Sequence, residues 1–141
     1  MPVDLTDASR EALRRAATVA QTSMAELIVL HVVRLNIGGE EIGVPRTRLL
    51  NELADAARAK IAAWVADLES APPVVRIVIA EGQPAREIVG EARDRGADLI
   101  VLARRPRAGW RWFVPHTAPR VLRRAPCPVL VVNQPRAGEA R

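Results

Sequence analysis

Four short, nearly unbroken apolar runs set the strongest limit on what this chain can fold into. They are residues 27–33 (LIVLHVV), 74–80 (VVRIVIA), 99–103 (LIVLA) and 128–132 (PVLVV). Runs of strand length that do not alternate with polar residues belong to strands covered on both faces, as in a parallel sheet. Longer stretches with apolar residues at helical spacing separate them. The pattern predicts an α/β fold, an open and largely parallel sheet with helices on both faces and right-handed crossovers.

The helical stretches carry their own start and stop signals. Residues 1–5 read as the end of a strand, after which Thr6 or Asp7 can cap a helix to about Ala20 that buries Leu13, Ala16, Ala17 and Ala20. A glycine- and proline-bearing loop at residues 36–45 leads to a long helix, residues 47–68, with a stripe of Leu50, Leu53, Ala54, Ala57, Ile61, Trp64, Val65 and Leu68. Pro84 opens a further helix, with Ala85, Ile88, Val89 and Ala92 inward and Gly96 as its stop. Thr117 is placed to cap the last helix, which turns Val121 and Leu122 to the core. Arg76 inside the second apolar run marks an edge strand. His31 and Trp64 read as packed core residues, and Cys127, between two prolines, as packing.

At 141 residues the chain is long enough for one domain, expected over residues 1–133 with a flexible tail at 134–141. No apolar run approaches the roughly 20 residues of a bilayer span, so no membrane role is expected. The opening segment has acidic residues and no apolar signal core, and the single cysteine fits a reducing compartment, so the expected location is the cytoplasm. The net charge of +5 and the pI near 11.1 come almost wholly from arginine. The charge is uneven: no Asp or Glu occurs between Asp98 and Glu139, where Arg104, Arg105, Arg107, Arg111, Arg120, Arg123, Arg124 and Arg136 all fall. Such a block fits binding to nucleotide phosphates, nucleic acid or an acidic partner, and equally a solvated surface.

The pieces PVDLTDASREALRRAA, LIVLHVV, EGQPAREIVGEARDRGADLIVLA and VLRRAPCPVLVV resemble the universal stress protein family, with the Ala125-Pro126-Cys127-Pro128 lead into the final strand the most specific. The resemblance runs to about Asn133. It implies a five-stranded parallel sheet of order 3-2-1-4-5, the adenine-nucleotide α-hydrolase-like fold, and a homodimer formed through the last strand. It also implies a non-enzymatic role in stress response, exercised through binding. One departure is that only Met1 precedes the Pro-Val-Asp that in the family comes after several apolar residues.

A second departure bears on function. Nucleotide-binding members of the family carry G-x2-G-x9-G-S/T between the fourth strand and the last helix. Here Ala103 and Pro106 stand at the first two glycines, Pro115 or His116 at the third, and His116 or Thr117 at the Ser/Thr. Glycines let successive backbone N–H groups turn toward a phosphate, and proline has no N–H to offer. A charge-assisted hydrogen bond contributes about 1.5–3 kcal/mol net, whereas micromolar affinity takes about 8 kcal/mol. Losing two or three donors is therefore enough to abolish useful ATP affinity. Arg104, Arg105, Arg107 and Arg111 supply guanidinium forks that bind phosphate in part compensation. The resemblance matches Asp4 to an acidic residue next to the nucleoside and Val32 to a position whose backbone meets adenine.

The expected function is thus a stress protein whose ATP binding is weakened or lost, with no certain cofactor. The alternative is an adenine-nucleotide sensor in which arginines replace the glycine cradle. A further alternative is an anion- or nucleic-acid-binding module, given that Trp110, Trp112 and Phe113 stand beside the arginines. Catalysis ranks last. The chain has no P-loop or dinucleotide fingerprint, no usual zinc set and no nucleophile elbow.

Overall fold

The computed structural model describes residues 1–34, 45–104 and 117–133. The loop at residues 36–45 (Pro45 aside), the arginine-rich loop and the tail at 134–141 lie outside them. Strands and helices alternate as expected: α1 (Asp7–Thr22), β1 (Glu26–Val33), α2 (Arg46–Ala66), β2 (Val74–Glu81), α3 (Pro84–Asp94), β3 (Ile100–Arg104), α4 (Thr117–Arg124) and β4 (Val129–Asn133). β3 and β4 each begin and end one residue later than the apolar runs predict, because Ala103–Val132 and Arg104–Asn133 still pair in register. Both ladders are parallel, β1 with β2 and β3 with β4.

Among the described residues the ladders stay separate, so an unbroken five-stranded sheet is not what forms. The opening segment, residues 1–3, lies against β1 through a single parallel bridge between Pro2 and Leu30. Leu30 N donates to Met1 O at 2.9 Å, and Val3 N donates to Leu30 O at 2.8 Å. The reason for the break is local. Alternate residues of a strand point their amides to opposite neighbours, so with residues 1 and 3 bonded to β1 the amide of residue 2 faces the other side. Residue 2 is proline and has no hydrogen to give.

Where the backbone leaves a gap, the side chains close it. One apolar cluster joins Leu13, Ala16, Ala17 and Ala20 of α1 and Ile61 and Trp64 of α2 to Leu27, Val29 and Val101. The other joins Ile88, Val89 and Ala92 of α3 and Val121 of α4 to Leu30, Ile100 and Leu102. Along β3 the residues alternate between the two clusters, as the pleat requires. Hence α1 and α2 cover one face and α3 and α4 the other. The helix α1 packs against β1, β3 and β4 and so bridges both ladders.

The caps explain the element ends. Thr6 is the N-cap of α1, and its Oγ1 accepts from Ser9 N at 3.4 Å. Buried Ser9 returns a bond from its hydroxyl to Thr6 O at 3.0 Å. Thr6→Ala is expected to cost about 1 kcal/mol, read as a lower urea midpoint at unchanged slope. Gly96, at φ +59°, ends the α3 unit in the left-handed conformation that glycine adopts without penalty. The α2 helix runs from Arg46 to Ala66 rather than over 47–68, because Asp67 and Leu68 turn back onto Ala63 O and Val65 O. Its buried stripe narrows to Ala57, Ile61 and Trp64, and Leu53 is 41% exposed. Trp64 is core, as expected, with Lys60 Nζ 5.5 Å from its ring centre.

Candidate functional site

In an open parallel sheet, loops at the carboxyl ends of the strands form the ligand crevice where the chain changes faces. Here that change comes after β2, since α1 and α2 line one cluster and α3 and α4 the other. The crevice edge therefore runs past Asp4, the end of β1, the end of β3 and the start of α4. Of the residues the sequence singles out, Asp4, Val32, Ala103, Arg104 and Thr117 are described. Arg105, Pro106, Arg107, Arg111, Pro115 and His116 lie outside the described residues.

Asp4 sits in a tight turn whose geometry is overdetermined. Its Oδ1 accepts from Thr6 N at 3.1 Å and from Thr6 Oγ1, and its own N–H donates to Ser9 Oγ at 3.3 Å. Leu5 is next, at φ +63°, a conformation that costs a non-glycine residue about 1–2 kcal/mol. Lys60 reaches across from α2 and donates to Leu5 O at 3.0 Å, which fixes the strained peptide. His31 Nδ1 donates to Val3 O at 2.9 Å from the neighbouring strand. The ring is half-buried rather than fully enclosed, and its hydrogen bond is the structural role the sequence implies. Thr6 thus holds the Asp4 carboxylate at the surface, while Ser9, Lys60 and His31 bond the main chain of residues 3–5 around it.

Val32 lies next to the end of β1, paired with Ala80 of β2, so its backbone is close to the crevice edge. Ala103 pairs with Val132, and Arg104 with Asn133, at the same edge of the other ladder. Arg104 Nη1 is 3.5 Å from Asn133 Oδ1, and its guanidinium makes no ion pair among the described residues. Thr117 is the first residue of α4 rather than the cap before it. The helix therefore starts one residue earlier than its capping signal predicts. The fold brings an aspartate, two strand ends and an arginine to one edge, with a helix N-terminus beginning there. That arrangement presents an acceptor for hydroxyl donors at one end and a cation beside a helix N-terminus for an anion at the other.

Sequence reasoning missed Leu5 and Lys60. A left-handed leucine has no compositional signature, and Lys60 could be noticed only as the single lysine of an arginine-rich chain. Among the described residues no cluster of three His, Cys, Asp or Glu could hold a metal ion. Among the same residues no helix is long and apolar enough to cross a membrane. Cys127 is partly buried and packs beside the second cluster, and burial, with the negative charge of Asp98, raises its thiol above the usual range. A thiol so shifted is a poor nucleophile.

Known proteins share both the sequence pattern and the fold. The family model described as "Universal stress protein family" matches residues 1–133. Universal stress protein MJ0531 of Methanocaldococcus jannaschii is 32% identical over 144 residues, covering 96% of this chain and 81% of that protein. Among solved structures, the universal stress protein UspA of Lactobacillus plantarum is 31% identical with a TM-score of 0.65, over 93% of each chain. The hypothetical protein MJ0577 superposes with a TM-score of 0.78 at 27% identity, over 96% of this chain and 94% of that one. With a matched family model spanning nearly its whole length, the chain belongs to the universal stress protein family.

Proposed function

We propose that this is a stress protein that works by binding rather than catalysis, with an adenine-nucleotide site whose phosphate half has lost most of its affinity. The observation that carries the reading is the way the chain leaves β3. At Arg104, the last residue of the strand, an exposed guanidinium is delivered to the crevice edge. Two positions on, where a cradle needs a backbone donor, the sequence has Pro106. Asp4, held in its turn, keeps the nucleoside half of such a site available.

Isothermal titration of ATP and adenosine into micromolar protein tests this. The expected result is no saturable ATP binding below about 100 μM, with adenosine binding no more than about tenfold weaker than ATP, because the triphosphate adds little. A low-micromolar ATP dissociation constant that rises at least tenfold in Arg104→Gln would instead establish the arginine-compensated sensor.

The strand order 3-2-1-4-5 and a dimer through the last strand belong to the same proposal. Residues 1–3 take the central place, since they bond to β1 on one side while Val3 shares a cluster with Val101 of β3 on the other. β4 pairs only with β3 among the described strands, and Leu130 and Val131 on its two faces are 41% and 37% exposed. An apolar strand with a free edge is a template for pairing with a second copy. Leu130→Asp combined with Val131→Asp is expected to convert a dimer to a monomer in light scattering; an unchanged mass would place the contact elsewhere.

A further inference from the structure

The described arginines without an ion pair are Arg34 after β1, Arg58 in α2, Arg104 at the end of β3, and a group of five on α3 and α4. Every ion pair among the described residues lies within residues 10–95 and involves Arg10, Arg14, Arg15, Arg46, Arg48, Arg76 or Arg95. Arg120, Arg123 and Arg124 of α4 are exposed and make none. Arg86 and Arg93 of α3 are also exposed and make none.

Helix geometry gathers these five onto one surface. Within α4, Arg120 is three residues from Arg123 and four from Arg124, so all three share one stripe, which begins beside buried Val121. Within α3, Arg86 and Arg93 stand about one turn to either side of Val89, which packs in the same cluster as Val121. They therefore lie on the flank of α3 that borders α4, and the two helices pack directly together. The acids of α3 are sorted away from that flank. Glu91 pairs with Arg95, Glu87 lies over Gly82, and Asp94 continues the stripe of Glu87 and Glu91. Arg93, Arg123 and Arg124 lie in last turns, where the helix dipole favours a cation, but Arg86 and Arg120 lie in first turns, where it does not, and like charges at these spacings disfavour the isolated helix.

The geometry points to a docking surface for single-stranded nucleic acid on the α3–α4 face, gripping the phosphate backbone without reading its sequence. The chemistry of the cluster selects the occupant. Guanidinium groups fork onto phosphate oxygens and also stack on bases. Arg86 and Arg93, about 10 Å apart along α3, lie beside the α4 stripe and make an extended track rather than one anion pocket. A flexible strand can run along such a track, which is the usual mode of sequence-tolerant single-strand binding. The inference does not depend on the nucleotide reading, since none of the five residues belongs to that crevice.

Fluorescence anisotropy with a labelled 20-nucleotide mixed-sequence RNA, from 50 to 200 mM salt, tests it. With five contacts the affinity is expected to fall about 100-fold across that range. The triple variant Arg120→Gln/Arg123→Gln/Arg124→Gln is expected to bind at least tenfold more weakly at 50 mM salt and to lose about two from the salt slope. A control with the same change in net charge, Arg14→Gln/Arg15→Gln/Arg48→Gln on the opposite face, should bind within threefold of the parent. Circular dichroism confirms that both variants fold. Equal weakening by the two triples would reduce the effect to net charge and overturn the proposal. So would absence of RNA binding at 50 mM salt, or polyglutamate binding as tightly as RNA at equal charge concentration.

Discussion

Lowering the pH from 8 to 5 is expected to remove about 3 kcal/mol of stability from the chain that begins at Met1, well before most carboxylates titrate. The group responsible is the Met1 ammonium, which donates to Ile28 O at 2.8 Å in the space beside the short opening strand. Burial lowers its pKa from 8.0 to about 5. A cation whose folded pKa lies below its unfolded one binds its proton better in the unfolded chain. Between the two values the unfolded state holds more protons, so stability rises with pH and is lost as pH falls toward 5. At about 1.4 kcal/mol per tenfold change the full shift is worth roughly 4 kcal/mol, of which about 3 is lost between pH 8 and pH 5, a large share of the roughly 5–15 kcal/mol typical of a domain. Urea unfolding at pH 8.0, 6.5 and 5.0 measures it, with the Nα-acetylated chain as comparison. The unmodified chain should lose midpoint steadily while the acetylated one stays flat over the window. Parallel curves would show that the amine is solvated.

Leu13→Ala is expected to cost about 2–5 kcal/mol, the range for emptying a sealed core position. Leu13 is 0% exposed and lies in the cluster that ties α1 to β1, β3 and α2. Its weight comes from the break in the sheet. Where one ladder would have joined the halves through main-chain bonds, here α1 spans them with side chains alone. Removing the largest of its buried side chains should therefore loosen one half from the other. Hydrogen exchange would show amides of β3 and β4 losing protection more than those of β1 and β2. Val19→Ala, on the wet side of the same helix, should change the stability by less than about 0.5 kcal/mol. A loss of similar size at both positions would mean that helix propensity, not the packing of α1, sets the stability.

Much of this was legible in the chain because it depended on neighbours in sequence. Unbroken runs such as LIVLHVV specify covered parallel strands wherever they occur, and the spacing of Leu13, Ala16, Ala17 and Ala20 specifies one buried helix face. Thr6, Pro84 and Gly96 marked element ends because capping and left-handed turns are satisfied within a few residues. The loss of the phosphate glycines, and the proline at position 106, needed no structure to be seen.

Other features required distant segments to meet. The left-handed Leu5 has its carbonyl bonded by Lys60, far along the chain. Leu53, given to the core by its periodicity, is exposed. The sorting of arginines into paired and unpaired sets depended on which helix faces lie side by side. Hydrogen bonding within a helix and apolar periodicity are written locally, so sequence alone determined the elements and most of their buried faces, Leu53 and Leu122 being exposed against expectation. Burial of the Met1 ammonium, the strain at Leu5 and the charge of the α3–α4 face depend on packing between segments far apart in the chain, and only the tertiary structure decided them.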